Sequence, residues 1–469
     1  MTLRNILTAA SALALAACAV GPDYAPPQSA SAPAATGPFV AANSPATTLD
    51  PVAADWWRLY NDPVLDGLVA DALAANTDVR VAVANIAKAR ASLRGARADR
   101  LPQGEIGAGA NYGRSPEGQR LPGADREDWT VDVGLNVAYE VDLFGRVSRS
   151  VEAARGDTEA AEADADAVRV MVVSDTTLAY ADAASGAARL GVARHIVELL
   201  DQQVKLTERR KEAGLATGLD LARITTLRDQ RAADIPDIEA DRQAALFRLA
   251  TLTGRPPAAL PTIAADRNIS LEITDPIPVG DGAALLKRRP DVRAAERRLA
   301  ADTARIGVAT ADLYPRITLG GSVGSTGAGF GDVFGGGPLR WLLGPLLNWA
   351  FPNQEPARAR IAGAEAETQA SLARFDGTVL RAIEETETAL SSYARSLDRR
   401  QALRAARDQS ERAALIVRAK RQEGASDSLE WLDAERTFAE AEGVLAAQDA
   451  QISRRQIALF RALAGGWSS

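Results

Sequence analysis

One half of this chain is a diverged copy of the other, and the spacing between the copies is constant. Asp78-Val79-Arg80 returns 213 residues later as Asp291-Val292-Arg293, and Ala91, Leu93, Ala96, Ala98, Asp99 and Pro102 return as Ala304, Ile306, Ala309, Ala311, Asp312 and Pro315. Ala245-Leu246-Phe247-Arg248 and Ala458-Leu459-Phe460-Arg461 share the same spacing. A duplication restricts the 469 residues to two versions of one unit built into a single body. The first repeat is read as 55–260, the second as 285–469, with an equatorial linker at 261–284 between them. With aromatics at only 5% and abundant Ala, the composition suits long helices that approach closely better than one large ring-filled core.

Within each repeat the pattern changes period. A helix is predicted from about Pro63, with Leu65, Leu68, Val69, Ala72 and Leu73 on one side, and it or a successor reaches Arg100 before Pro102 stops it. The chain then switches to alternation. Val131, Val133, Leu135, Val137, Tyr139 and Val141 point one way, and Thr130, Asp132, Gly134, Asn136, Ala138, Glu140 and Asp142 the other. A weaker alternating partner runs through Ile106, Ala108, Ala110 and Tyr112. The second repeat offers Ile317, Leu319 and Val323, then a strand from Leu339 to Phe351 in which Leu342 and Leu346 fall on the side expected to be wet. Long helical regions follow, 148–252 and 356–463, each broken by glycine near its middle. Phe375, Val379, Ile383, Thr386, Leu390, Tyr393 and Leu397 step by threes and fours, the seam of a coiled coil. A limb of about 60 residues at ~1.5 Å each is roughly 90 Å long, so it must turn, at 212–218 and 422–427.

The amino terminus carries Arg4, an apolar run from Ile6 to Ala17, and small residues before Cys18, the only cysteine. Residues 1–17 are read as an export signal too short to span as a helix, and disulfides are excluded by count. Residues 18–54, dense in Pro, Ala, Ser and Thr, are expected to form a tether. The formal charge of −7 argues against nucleic acid. No apolar run after the signal is long enough for a spanning helix, so any membrane crossing falls to strands. Four strands cannot close a barrel, for which about eight is the minimum, and open edges in lipid leave backbone groups unpaired. Oligomerisation is forced, though strand arithmetic alone leaves two, three or four chains open.

Leu15-Ala16-Ala17-Cys18 resembles a bacterial lipobox, which implies S-diacylglycerol and N-palmitoyl groups on Cys18 as the only covalent additions, with no other cofactor. Ala19 in the next position implies delivery to the outer membrane. Further along come Gly21-Pro22-Asp23-Tyr24, Trp56-Trp57, Asp62-Pro63, Asn76, Tyr139-Glu140-Val141-Asp142-Leu143-Phe144-Gly145-Arg146, Gly214-Leu215-Ala216 with Leu219-Asp220-Leu221, and Gly424 with Leu429-Glu430. In this order they resemble the TolC-like outer-membrane efflux factors, in the lipoprotein branch called NodT-type, over nearly the whole mature chain. The resemblance implies an α+β membrane channel: long antiparallel helical coiled coils form an α-barrel, and four strands per chain complete a twelve-stranded barrel in a homotrimer. It implies an exit duct in the outer membrane, reaching into the periplasm and served by a periplasmic adaptor (a membrane fusion protein) and an inner-membrane RND-type pump. Asp220, Glu430 and Asp433 match the acidic gate positions, and Gly214, Leu215, Gly424 and Ser426 the helical tips that would meet the adaptor. An exit channel for type I protein secretion, or a structural envelope lipoprotein without a pore, would use many of the same features.

Enzyme chemistry finds little material. His195 is the only histidine and falls among Val192, Ile196, Leu199 and Leu200, and one Cys with one His builds no metal site. Gly320-Gly321 and Gly335-Gly336-Gly337 lack the following Lys-Ser/Thr of a phosphate cradle and are read as a barrel bend and a loop. The expectation is a protein that is not an enzyme.

Overall fold

A computed structural model describes residues 19–28, 33–42, 44–114, 116, 125–327, 330–333, 339–423, 425–426 and 428–465. In chain order the main elements are α1 (Pro63–Ala75), α2 (Thr77–Ala98), β1 (Gln103–Arg114), β2 (Glu127–Val141), α3 (Arg146–Glu212), α4 (Gly218–Leu252), α5 (Gly282–Arg288), α6 (Pro290–Ala311), β3 (Arg316–Gly327), β4 (Leu339–Asn348), α7 (Glu355–Gln422) and α8 (Ser428–Ala462). The duplication is visible in the lengths: α3 and α7 have 67 and 68 residues, and α4 and α8 have 35 each. Among the described residues no helix is long and apolar enough to cross a membrane.

The chain forms two compact units, and neither is a repeat. One comprises Met1–Pro27, Asn85–Glu162 and Ala294–Phe375; the other comprises Gln28–Ala84, Ala163–Arg293 and Asp376–Ser469. Each draws on both repeats, because the two copies interleave instead of folding side by side.

The first unit holds a four-stranded antiparallel sheet in the order β1-β2-β3-β4, so β2 and β3 join the two repeats. Strict pairing confirms the predicted faces: Ile106, Leu135, Val323 and Trp341 stand in one cross-strand row, and Glu105, Asn136, Ser322 and Leu342 in the next. The apolar face is largely open, with Ile106, Trp341, Leu343 and Leu347 all exposed. β4 ends at Asn348, short of the predicted Phe351, and Trp349 and Phe351 stack on each other just beyond it.

Where β2 becomes α3, the Tyr139–Arg146 motif acts as a hinge. The Asp142 carboxylate accepts from the N–H groups of Val147 and Ser148 at 3.0 and 2.7 Å, satisfying donors that a helix start leaves without partners. Arg146 grips Glu140 through two bonds of 2.7 and 2.6 Å, Gly145 takes φ +78°, and Phe144 stacks on Tyr314 at 4.6 Å.

The tether expected over residues 18–54 is a docked strap wherever it is described. In the first unit the Val20 N–H donates to the Phe144 carbonyl, Asp23 pairs with Arg149 at 2.6 Å, and the Tyr24 hydroxyl donates to Glu296. Gly21 lies so close to Gly307 of α6 that a Cβ on Gly21 would sit 2.5 Å from the Gly307 Cα. In the second unit Phe39 and Val52 are buried, Val40 and Ala41 donate backbone N–H groups to Glu387, and Thr47–Thr48 pairs in parallel with Ile277–Pro278. Proline-rich composition removes donors, but the remaining apolar side chains and N–H groups are enough to fix the path.

The core of the second unit gathers Trp56, Tyr60, Leu65, Tyr180, Leu271 and Phe460. Trp56 stacks on Phe460 at 4.6 Å. Asp62 caps α1 through Val64 and Leu65, and its other oxygen accepts from the Tyr180 hydroxyl at 2.9 Å and from Arg267 at 2.8 Å. Burial, then the bond to Asp62, pushes the Tyr180 hydroxyl well above its ordinary range, so it stays a donor. Asn76 splits α1 from α2: its side-chain oxygen caps Asp78 and Val79 while its amide donates to the Leu252 carbonyl.

One sequence match does not survive as a structural one. At the ends of α4 and α8 the left-handed residues are Gly254 and Ala464, and each helix closes with the same pair of backbone bonds, Gly254 and Arg255 to Thr251 and Ala250, Ala464 and Gly465 to Arg461 and Phe460. That register is 210 residues, not 213. The two Ala-Leu-Phe-Arg words therefore sit about one helical turn out of step, which is why Phe247 is 47% exposed and Phe460 fully buried.

Candidate functional site

The ends of the two long hairpins, α3/α4 and α7/α8, lie together in the second unit. Each long helix stops in the same way: the Leu215 N–H reaches back to the Arg210 carbonyl at 2.7 Å, and the Ala425 N–H to the Lys420 carbonyl at 2.8 Å. Gly214 supplies the positive φ of +72° that this closure needs. The Arg210 guanidinium donates to the Arg421 carbonyl across the two tips, at 3.4 Å.

Behind the tips is an apolar cluster of Ile196, Leu200, Val204, Ile224, Leu227, Val417 and Trp431. Trp431, the residue after Glu430, is 3% exposed. Arg421 lies over its ring at 4.4 Å, and its indole N–H donates to Glu435 at 3.2 Å. Glu435 is buried and also takes two bonds from Arg418, at 2.5 and 2.7 Å. The bond to Glu435 holds the Arg418 guanidinium above its ordinary pKa. Nothing in the spacing of Arg418, Arg421, Trp431 and Glu435 marks them as one network before the hairpin brings them together.

The predicted acidic positions fall on the first turns of the returning helices. Asp220 is the third residue of α4 and forms a capping box with Thr217: its carboxylate accepts the Thr217 N–H and hydroxyl at 2.9 and 2.8 Å, and its own N–H donates to the Thr217 oxygen. Glu430 is the third residue of α8, accepts from the Ser426 hydroxyl at 2.9 Å, and lies 3.7 Å from Lys420. The structural register thus pairs Asp220 with Glu430, whereas the 213-residue rule would have paired it with Asp433. Asp433, one turn further on, is exposed and bonded to Arg436 at 2.8 Å. Among the predicted tip residues, Leu215 is 76% exposed, Gly214 has open space around it, and Ser426 is engaged with Glu430. Cys18 and Gly424 lie outside the described residues, as do Gly335, Gly336 and Gly337. Gly320 and Gly321 are in β3, and His195 is exposed on α3.

Two passages of the chain, residues 68–255 and 283–465, match the family model described as outer membrane efflux protein. The chain belongs to the outer membrane efflux protein family. The model matches twice, once on each repeat. Among curated relatives, outer membrane protein OprJ of Pseudomonas aeruginosa is 33% identical over 460 residues, covering 97% of this chain and 94% of that one. Nodulation protein T of Rhizobium leguminosarum bv. viciae is 29% identical over 465 residues, covering 97% of this chain and 92% of that protein. Among solved structures, the outer-membrane channel OprN superposes with a TM-score of 0.89 at 36% identity, covering 96% of this chain and all of that one. The outer membrane protein VceC of Vibrio cholerae superposes at 0.81 with 26% identity, covering 89% of this chain and 100% of the other. The protein is an outer-membrane efflux channel with the fold of those neighbours, and it resides in the outer membrane.

Proposed function

We propose that three copies of this chain form the exit duct of a tripartite efflux system, receiving solutes from an inner-membrane RND-type pump through a periplasmic adaptor. The observation that carries the reading is the sheet. β1 and β4 are its edges, and no described strand pairs with the outer side of either. One face is apolar and largely open, although Val131 is buried. In hydrocarbon such edges cost several kcal/mol for each unpaired group, so the sheet is viable only when β4 of one copy meets β1 of the next. All neighbours in the sheet are antiparallel, so this junction is antiparallel as well, and three four-stranded sheets close with twelve strands, within the range of bacterial barrels. OprJ, by name an outer membrane protein, TtgC, by name a probable efflux pump outer membrane protein, and OprN, by name an outer-membrane channel, support the same assignment.

The tips of the hairpins are the proposed adaptor contact, through Gly214, Leu215, Gly424 and Ser426, and Asp220, Glu430 and Asp433 are the proposed gate carboxylates. Brought together by symmetry, carboxylates repel one another and favour cations. Cys18 is the proposed lipid attachment. The duct does no chemistry of its own, and the pump supplies the energy. The test is planar-bilayer recording on the purified protein: discrete, cation-preferring conductance is expected, with the preference reduced when Asp220, Glu430 and Asp433 are neutralised together. A preparation that runs as a monomer and passes no current even in that triple variant overturns the proposal.

A further inference from the structure

The polar face of the sheet carries a cation held flat against a track of glycines. Gly107, Gly134, Gly324 and Arg340 form one cross-strand row from β1 to β4. With three side chains missing from that row, the Arg340 side chain extends sideways over its neighbours. A Cβ on Gly324 would lie 3.4 Å from its Nε, and one on Gly134 would lie 3.8 Å from its Nη2. The guanidinium ends on Asp132 of β2 at 2.6 Å, and Asp132 also accepts from the Thr326 hydroxyl at 2.7 Å. Both members remain open to solvent, with side-chain exposures of 59% for Arg340 and 36% for Asp132.

The remaining charges on this face give the arrangement its meaning. Among the described strand residues, the face bears Glu105, Asp128, Asp132 and Glu140 against only Arg316 and Arg340. Arg316 is drawn to Asp312 at the end of β3. Arg340 is therefore the one guanidinium set among carboxylates near the middle of the face. An exposed ion pair of this kind is worth no more than about 1 kcal/mol, so Asp132 positions the guanidinium without sequestering it, and its outward N–H donors remain available to a passing oxyanion.

We infer that Arg340 is a selectivity residue of the duct, a wall-held cation that tempers the cation preference of an acidic lumen and gives carboxylate-bearing solutes a transient foothold. The inference rests on the trimeric duct, in which this polar face lines the lumen. Gly134 and Gly324 keep the arm against the wall and out of the conducting path. Gly324 has a second duty, since a Cβ there would sit 2.7 Å from the Val133 carbonyl. Gly134 has only ordinary contacts and is the position to perturb.

Reversal potentials in a potassium chloride gradient test this on the intact trimer. Arg340→Gln widens the excess of carboxylates over guanidinium groups from two to three per chain, and the cation-to-anion permeability ratio should rise about twofold. Arg340→Lys keeps the charge and should hold the wild-type ratio. Asp132→Asn releases the arm and should lower the ratio, and Gly134→Leu should reduce conductance by putting bulk where the guanidinium lies. Heat-resistant trimers on a denaturing gel show that each variant has assembled. Conducting trimers whose ratio is the same in wild type, Arg340→Gln and Asp132→Asn overturn this inference and leave the duct intact. Failure of every variant and of wild type to conduct or to trimerise overturns the duct, and the inference with it.

Discussion

Replacing Trp431 tests whether the tips are held in place by the packing behind them. The ring is 3% exposed within the tip cluster, so its removal leaves a cavity and takes away the surface under Arg421. Large aromatic truncations cost about 3–5 kcal/mol. Because 1.4 kcal/mol is a factor of ten, amides that exchange through local opening of the hairpin ends should exchange at least ~100-fold faster in Trp431→Ala. Trp431→Phe keeps most of the volume and the face under Arg421 and loses only the indole N–H to Glu435, which keeps both bonds from Arg418. That loss is about 1 kcal/mol, or roughly fivefold. Hydrogen–deuterium exchange of peptides covering 410–421 and 429–440, measured on the trimer in detergent, reads both numbers. Exchange within twofold of wild type in Trp431→Ala, or a larger effect for Phe than for Ala, would refute the idea that this cluster secures the tips.

Thr217→Ala and Asp220→Asn should separate two duties of the same turn: the first costs the cap about 1 kcal/mol and frays the start of α4 in exchange experiments, while the second keeps an acceptor for Thr217 and lowers cation selectivity. Asp449 sits beside Glu272 and Arg400, and burial raises its carboxyl above the usual range despite Arg400. A raised acid contributes stability that is full below its unfolded pKa and lost as pH rises through the folded one. Asp449→Asn should therefore melt higher than wild type at pH 7, with the difference disappearing as pH falls to about 4; a gap that stays constant across pH would remove the cause assigned here. Gly307→Val would press against Arg149 and the Val20 carbonyl at under 3 Å, so the strap at 19–27 should become open to limited proteolysis. Gly67→Ala, at a helical position with nothing within 4 Å, serves as the silent control.

The features legible in the sequence were those with a period. Alternation over 130–142 needs only its own residues, and the pairing of Leu135 with Val323 confirms the face it assigned. The Gly214 turn was legible because only a glycine-like backbone closes the helix there cheaply. The strap was not legible: prolines and alanines describe a free linker and a docked one equally well, and the difference lies in where Glu387 stands to receive two N–H groups. Local identity also misled. The two Ala-Leu-Phe-Arg words are the same letters, but burial is set by the neighbouring helices, and Phe460 meets Trp56 while Phe247 meets solvent. Asp132 and Arg340 lie in different repeats, and only the strand register makes them neighbours.

The equal lengths of the two hairpins have a mechanical corollary. Although the copies have slipped from a 213- to a 210-residue register, α3 and α7 differ by a single residue and α4 and α8 by none. Drift has been absorbed elsewhere, and the two ends still finish level, close enough for Arg210 to reach the Arg421 backbone. In the proposed trimer, a ring made from such ends would be a flat rim on which the proposed adaptor could seat both repeats at once. Deleting one helical turn from both limbs of a single hairpin would drop alternate contacts by about 5 Å, leaving the walls intact and the docking surface uneven.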